Sequence, residues 1–299
     1  TAMKGKESSP RFSPDGKWIV FAGNPEGNNN LYKVSVNGGP IEQLTWHSGN
    51  DVPYSWSWDS KYIYFASSRL NSYSTYKIPV EGGTPERLFG HHYWNNVHHL
   101  IQSPLDDTYY FSESGESYRS SNRKRYKGDY NPDIKSYNVK SRIYKEITSY
   151  EGKDLWPSID KTGILYYASD KGTGEYNLFS YADGQQEQLT SFTSSVNNPQ
   201  VSANGERLVF VKDYQLWVYK AQEGTSEAVP VTVFDHNSLP SQLSYDVKTG
   251  ITDFDLSGDK KKLAFVSRGE LFISDAKGKF VRHIETNNTE RVLEVKWSK

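Results

Sequence analysis

The chain has no cysteine, no long apolar run and no excess of either charge. Without cysteine it can form no disulfide, no thiolate nucleophile and no cysteine-ligated zinc site. Its apolar stretches fall short of the roughly 18 residues of a membrane helix, so the sequence predicts no membrane span. With 35 basic and 36 acidic residues, the net charge of -1 gives no general attraction to nucleic acid.

Aromatic and turn-forming residues are abundant instead. Aromatics make up 14% of the 299 residues, with 22 Tyr and 8 Trp, beside 23 Gly and 13 Pro. This composition favours β-strands and tight turns over helices. A chain of this length can also bury a substantial core without disulfides.

A tetrapeptide that begins with serine recurs along the whole chain. Its six complete copies start at Ser13, Ser57, Ser103, Ser158, Ser202 and Ser257, and a seventh begins at Trp297-Ser298. The serines lie between 41 and 55 residues apart, which is the spacing of four-stranded propeller blades. Asp, Asn, Pro and Gly in these copies are the residues of tight turns.

Each turn is followed by short β-branched and aromatic runs, which predict three further strands per unit. In the first unit these are Trp18–Phe21, Leu31–Val34 and Glu42–Thr45. The sequence therefore predicts an all-β protein, a β-propeller of six units that begin near residues 10, 53, 99, 155, 198 and 252. A β-solenoid is the alternative, but its repeats are usually shorter. The polar stretch 234–250 is either a long surface loop or a junction between two propellers.

Catalytic motifs are missing from the sequence. It contains no Gly-x-Ser-x-Gly elbow, no His-Glu-x-x-His, no phosphate-binding glycine loop and no EF-hand spacing. We therefore predict a chain without catalytic residues and without a cofactor.

A histidine cluster is the most conspicuous candidate site. Residues 91–99 hold four of the seven histidines together with an aromatic pair. Four imidazoles could ligate zinc or copper, but no carboxylate lies within the cluster. Packing or peptide contact at the rim of a channel is the preferred interpretation. The candidate binding residues are His91, His92, Trp94, His98 and His99.

A basic insertion lies in the third unit, over about 113–131. Its candidate binding residues are Arg119, Arg123, Arg125 and Tyr126. The arginines could bind carboxylates, including the C-terminal carboxylate of a peptide. The alternative is a solvated loop. Tyrosines between basic residues would also allow stacking on bases, but the neutral net charge speaks against nucleic acid.

Three polar residues precede the prolines of the innermost strands: Asp51, Asp154 and Asn197. Equivalent positions of different blades face the same end of a propeller, so these side chains could form a ring near one mouth of the channel. Simple capping of the turns between blades explains them equally well.

The repeats resemble known propeller families. The segment from Pro10 to Lys17, followed by Leu31-Tyr32 and Gln43-Leu44-Thr45, is similar to the TolB-like repeat, which is one of the WD-repeat-like blades. Many functions share that repeat, so it implies the fold only.

A narrower resemblance lies in the middle of the chain. Arg125–Ile134 and Asp154–Pro157 look like a blade of the N-terminal propeller of tricorn-type serine peptidases, and Ala264–Glu270 continues the similarity. In that family two propellers precede the peptidase domain and are thought to gate the passage of peptides. The resemblance implies that the catalytic residues lie beyond residue 299 and that the chain is an excerpt of a longer propeller array.

The sequence thus predicts a non-catalytic propeller that binds or gates peptides for a tricorn-like peptidase. Its partners would be peptides and the remainder of the peptidase. A free-standing TolB-like scaffold that binds another envelope protein is the alternative. Abundant Asn, Ser and Tyr and the missing cysteine lean toward a periplasmic or secreted setting, with the cytoplasm not excluded.

Overall fold

The computed structural model describes residues 3–70, 73–89, 96–119, 121, 123–232, 250–286 and 291–298. They fall into two units, Thr1–Val231 and Thr232–Lys299. Six four-stranded antiparallel sheets, in each of which consecutive strands are neighbours, account for nearly all regular structure there. Five belong to the first unit and one to the second, so the predicted all-β propeller architecture of six four-stranded units is confirmed.

Each sheet is formed by four strands that are consecutive in the chain. The first sheet contains β1 (Glu7–Phe12), β2 (Trp18–Gly23), β3 (Asn30–Ser35) and β4 (Glu42–Gln43). The second contains β5 (Asp51–Trp56), β6 (Tyr62–Ser67), β7 (Ser74–Pro79) and β8 (Glu86–Arg87). The third contains β9 (Val97–Gln102), β10 (Thr108–Glu113), β11 (Asp133–Asn138) and β12 (Tyr144–Glu146), with the helix α1 (Gly115–Arg119) after β10.

The remaining sheets follow the same plan. The fourth contains β13 (Asp154–Ile159), β14 (Leu165–Ser169), β15 (Asn177–Ala182) and β16 (Gln185–Gln188). The fifth contains β17 (Val196–Val201), β18 (Arg207–Lys212), β19 (Gln215–Lys220) and β20 (Thr225–Ala228). The sixth contains β21 (Ile251–Leu256), β22 (Lys262–Ser267), β23 (Glu270–Asp275) and β24 (Val281–Ile284).

The recurring serine tetrapeptide forms the same hydrogen-bonded turn between the first two strands in four of the six sheets. In the first sheet the Ser13 hydroxyl donates to Asp15 Oδ1 at 2.5 Å and accepts the Trp18 N–H at 3.0 Å. The second, fifth and sixth sheets repeat both bonds with their own serine and Asp or Asn. The fourth residue of these turns has positive φ, which suits Gly16 (70°) but also occurs at Ser60 (58°). In these four sheets the repeat thus supplies the hydrogen bonds that start the hairpin, whereas in the fourth sheet Asp160 makes the bonds of the turn.

The core of the first unit is divided among the spaces between neighbouring sheets. One apolar cluster joins the first and second sheets, with Leu31 and Phe65 among its buried members. Three others join the second to the third, the third to the fourth and the fourth to the fifth. Each fully buried aromatic or aliphatic side chain stabilises this arrangement by about 1.5–3 kcal/mol.

The first strands of the five sheets in the first unit lie side by side, since β1 contacts β5, β5 contacts β9, β9 contacts β13 and β13 contacts β17. Each of these strands carries a bulge in its pairing with the second strand. At four bulges a residue other than glycine has φ between 51° and 56°: Ser9, His99, Trp156 and Asn198. Left-handed backbone at such residues costs about 1–3 kcal/mol each.

In the second unit, the segment 291–298 runs along β21. The Trp297 indole N–H donates to the Asp255 carbonyl at 3.0 Å, as the Trp56 indole donates to the Arg11 carbonyl in the first unit. Asp255 and Arg11 are both the fifth residue of the first strand of their sheet. This equivalence supports the prediction that a seventh copy of the repeat begins at Trp297.

Candidate functional site

The centre of the first unit is occupied by the side chain of Arg11, which is only 8% exposed. Its Nε donates to the Tyr54 carbonyl at 2.8 Å and its Nη1 to the Pro10 carbonyl at 2.8 Å. Its Nη2 reaches Asn198 Oδ1 in the fifth sheet at 3.3 Å. Because this bond joins the first and fifth sheets, the first strands of the unit surround a common centre.

Two histidines of the predicted cluster lie at this centre. His98 is buried, and its Nδ1 lies 3.3 Å from the Tyr54 hydroxyl. The His99 ring packs against the Tyr54 ring with centroids 5.2 Å apart, and its Nδ1 is buried without a hydrogen-bond partner. Burial, with smaller contributions from His98 and Arg11, holds the pKa of His99 well below its usual value. His99 is therefore neutral at physiological pH.

The other three members of the histidine cluster, His91, His92 and Trp94, lie outside the described residues. Within the described ranges, no group of three or more His, Asp or Glu side chains is arranged to hold a metal ion. Nor does any helix among those residues have the length and apolar character needed to cross a membrane.

The three residues predicted to form a polar ring occupy two different register positions. Asp51 and Asp154 are each the first residue of a first strand, whereas Asn197 is the second residue of its strand. The Asp51 carboxylate is fully buried and accepts both of its bonds from Arg69 Nη2, at 3.1 and 2.9 Å. Asp154 is bonded by the hydroxyls of Ser169 and Thr148. Both carboxylates therefore engage their own sheet or the adjoining turn.

The basic insertion is held to the fourth sheet and the turn before it by ion pairs. The Arg123 guanidinium contacts Glu116 at 2.6 Å and lies over the Tyr126 ring, 3.8 Å from its centroid. Lys124 contacts Glu175 at 2.6 Å. Arg125 reaches the same Glu175 at a longer 3.9 Å and remains mostly exposed. The side chain of Arg119 lies outside the described residues.

A buried lysine anchors the helix of this insertion. Lys153 is fully buried, and its ammonium contacts the Glu116 carboxylate at 2.9 Å. The helix begins after Ser114, whose hydroxyl accepts the Glu116 N–H at 2.9 Å. The insertion is thus tethered rather than freely solvated, with its guanidinium and ammonium groups near one rim of the unit.

A cleft of about 330 Å³ lies beside the insertion. It is lined by Lys127, Gly128, Asp129, Asn131, Asp133, Tyr150 and Glu151. Lys127 contacts Glu151 at 3.5 Å, and the lining as a whole carries one ammonium and three carboxyl groups. The cleft is therefore a negatively charged pocket that suits a cationic group.

Burial raises the pKa of two carboxyl groups near this cleft. The pKa of Asp133 rises to about 6, with a further contribution from Asp154 that exceeds the effect of Lys135. The pKa of Asp154 also rises to about 6, against the opposing effect of the Ser169 and Thr148 hydroxyls. A folded-state pKa above the unfolded value means that the folded state retains the proton longer, so stability falls as pH rises from about 4 to 6.

We expect Asp154→Asn to remove most of the cost that Asp154 imposes above pH 6. The amide oxygen can still accept from both hydroxyls, whereas ionising the buried carboxyl, whose pKa is raised to about 6, costs about 3 kcal/mol. Urea unfolding at pH 4 and pH 7 should show the variant gaining stability relative to the wild type at the higher pH.

The matched control is Asp59→Asn, which we expect to change stability at pH 7 in the opposite direction. The Ser57 hydroxyl lowers the pKa of Asp59, so its contribution is present above about pH 4 and lost below it. This variant should be less stable than the wild type at pH 7. An Asp154→Asn variant that lost stability at pH 7 in the same way would contradict the assignment.

Comparison with known proteins gives the family. The model of the tricorn protease N-terminal β-propeller domain matches residues 1–225, three quarters of the chain. The chain belongs to this family. The matched domain is a propeller domain of a protease, which confirms the resemblance found in the sequence. A search of curated protein sequences finds no significant match.

Solved structures support the same fold. The crystal structure of the tricorn protease matches 99% of this chain with a TM-score of 0.70 and 20% identity. The chain spans only 29% of the length of that protein. TolB from Agrobacterium tumefaciens matches 75% of this chain and 80% of its own, with a TM-score of 0.59 and 21% identity. TolB from Acinetobacter baumannii matches 97% of this chain and 65% of its own, with a TM-score of 0.54 and 16% identity.

Sequence reasoning missed Arg11 and Asn198. Arg11 lies in the Pro-Arg-Phe segment of the first repeat, and Asn198 directly follows the predicted Asn197. The sequence does contain a signal for Arg11. It is the only Lys or Arg in the first strands of the six described sheets.

Proposed function

We propose that this chain binds peptides, and guides them, as the non-catalytic propeller of a tricorn-like serine peptidase whose catalytic domain is not in this chain. Family membership over residues 1–225 supplies the context. The observation that carries the proposal is the charged cleft beside the tethered insertion. Propellers bind ligands mainly through loops at the ends of their strands, and the cleft lies there.

The charge of the cleft indicates which part of a peptide it would bind. Asp129 and Glu151 are exposed carboxyl groups, and Asp133 is mostly ionised at neutral pH, since its pKa is about 6. Lys127 offsets only one of these charges. A peptide ammonium group, at its N-terminus or on a lysine, is the complementary partner.

The test is a calorimetric titration of the chain with a short peptide that has a free N-terminus and with its acetylated twin. We expect the acetylated peptide to bind more weakly. The double variant Asp129→Asn, Glu151→Gln should lose about two- to fivefold in affinity per charge, the range for exposed ion pairs. Asp183→Asn, an exposed carboxylate in a distant hairpin turn, is the matched control and should bind as the wild type does.

Equal affinity of the double variant and the wild type would overturn the assignment of the cleft. So would equal affinity for the free and acetylated peptides.

A free-standing TolB-like scaffold remains the second candidate, because this chain matches TolB from Agrobacterium tumefaciens over 80% of that protein's length. The reading frame beyond residue 299 separates the two. A second propeller followed by a serine peptidase domain would support the first proposal, and an immediate stop codon would support the second. The periplasmic or secreted setting stays a prediction, which cell fractionation would test.

A further inference from the structure

The guanidinium at the centre of the first unit is a buried charge without a counter-ion. In the described part of the chain no ion pair joins Arg11 to a carboxylate. The Arg69 guanidinium, by contrast, lies 2.9 Å from the buried Asp51 carboxylate, which compensates its charge. Burial lowers the pKa of Arg11 to about 10, with only Tyr54 opposing it, so the group stays charged at neutral pH. An uncompensated buried charge is costly, and proteins rarely retain one without a partner.

The hydrogen bonds of Arg11 leave part of its donor capacity open. A guanidinium has five N–H groups, and its three bonds go to two carbonyls and one amide oxygen, all of them neutral. None of these acceptors neutralises the charge. Two N–H groups remain for another acceptor.

Neighbouring groups at the centre are compatible with an anion. His99 carries a buried Nδ1 without a partner, and both His99 and Asn198 are partly exposed as whole residues. Both residues occupy bulges with left-handed backbone, at φ 55° and 51°. The bulges at Ser9 and Trp156 have the same left-handed backbone, so it is a repeated feature of the first strands that fixes the positions of these side chains.

We propose that the centre of the first unit is a carboxylate-binding site. The Arg11 guanidinium would bind the carboxylate, and His99 and Asn198 would lie beside it. The guanidinium fork matches the two oxygens of a carboxylate. The site is separate from the rim cleft, which has the opposite charge. The experiments on the cleft and on this site can therefore fail independently of each other. On the proposed function the carboxylate would belong to a peptide, as a Glu or Asp side chain or as the C-terminus.

Three anionic probes, titrated one at a time into the wild-type chain, identify which kind of anion binds. They are inorganic phosphate, an acetylated peptide amide with one Glu, and an acetylated alanine peptide with a free C-terminal carboxylate. Uncharged twins, with Gln for Glu or an amide for the carboxylate, are the ligand controls. We expect at least one carboxylate probe to bind saturably and its uncharged twin to bind at least tenfold more weakly.

The variant Arg11→Gln tests the residue itself. Loss of a charge-assisted hydrogen-bond donor should weaken binding of the carboxylate probe about ten- to hundredfold. Arg207→Gln removes an exposed arginine from the same unit and is the control for net charge. Equal binding by Arg11→Gln and the wild type would overturn the proposal, and so would the failure of every carboxylate probe to bind. Binding of phosphate alone would also overturn it.

Arg11 also joins two sheets, so its variant could fail to fold. Circular dichroism will show whether the variant folds. If it does not fold, crystals of the wild-type protein test the proposal instead. Crystals soaked in bromide should show anomalous density within hydrogen-bonding distance of the guanidinium. Density elsewhere only, with the centre empty at high bromide, would contradict the proposal.

Discussion

Replacing Arg69 by Met should destabilise the first unit by about 3–5 kcal/mol at pH 7. The variant leaves the fully buried Asp51 carboxylate without the guanidinium that lies 2.9 Å from it. Removing one partner of a buried ion pair is expensive because the other charge stays desolvated. The guanidinium also lies over the Phe65 and Tyr76 rings, 5.4 and 5.0 Å from their centroids, and methionine puts an apolar thioether in place of that charged group.

Comparison with an exposed ion pair identifies the cause of this loss. Urea unfolding at pH 7 measures the loss in free energy of unfolding. Lys17→Met, which breaks an exposed pair with Asp15 at 3.8 Å, is the control and should change stability by less than about 1 kcal/mol. A loss in Arg69→Met as small as the loss in Lys17→Met would contradict the account.

Phe111→Ala should cost about 3–5 kcal/mol as well. Phe111 is 1% exposed and belongs to the cluster between the second and third sheets. Its ring packs edge to face against Phe89, with centroids 5.6 Å apart. Truncation would leave a cavity between the two sheets. They cannot move together to close it without disturbing their packing against the other sheets.

The control for this prediction is Phe12→Ala, in the same unit. Phe12 is 67% exposed, and its truncation should change the free energy of unfolding by roughly 0.5 kcal/mol or less. Both variants should unfold in urea with the same denaturant dependence as the wild type. Equal losses in the two variants would mean that the core does not lie in the spaces between neighbouring sheets.

The sequence predicts the fold well because the fold depends on local chemistry. In four of the six sheets the first hairpin begins at a serine turn whose bonds run within five residues, as from Ser13 to Trp18 in the first sheet. The following strand begins at Trp18, as the aromatic and β-branched run indicates. Such signals need no knowledge of distant residues, and the family resemblance found in the same sequence is confirmed over residues 1–225.

The candidate site was predicted less completely, since it depends on contacts between distant residues. Arg11 meets Asn198 across 187 positions of the chain, which no local pattern indicates. The arginines of the basic insertion predict a basic surface, but Arg123 is bonded to Glu116 of the helix α1 in the same insertion. Charge pairing within the fold is invisible in composition, so a basic run and a free basic surface look the same in the sequence.

One measurement tests the central claim, that this propeller binds peptides and does not cut them. The purified chain is titrated with free-N-terminus peptides by calorimetry, and the peptides are then analysed by mass spectrometry after prolonged incubation. The account predicts saturable binding and recovery of the peptides at their original mass. Cleaved peptide would contradict the claim that the chain is not catalytic, and the absence of binding would contradict its proposed role.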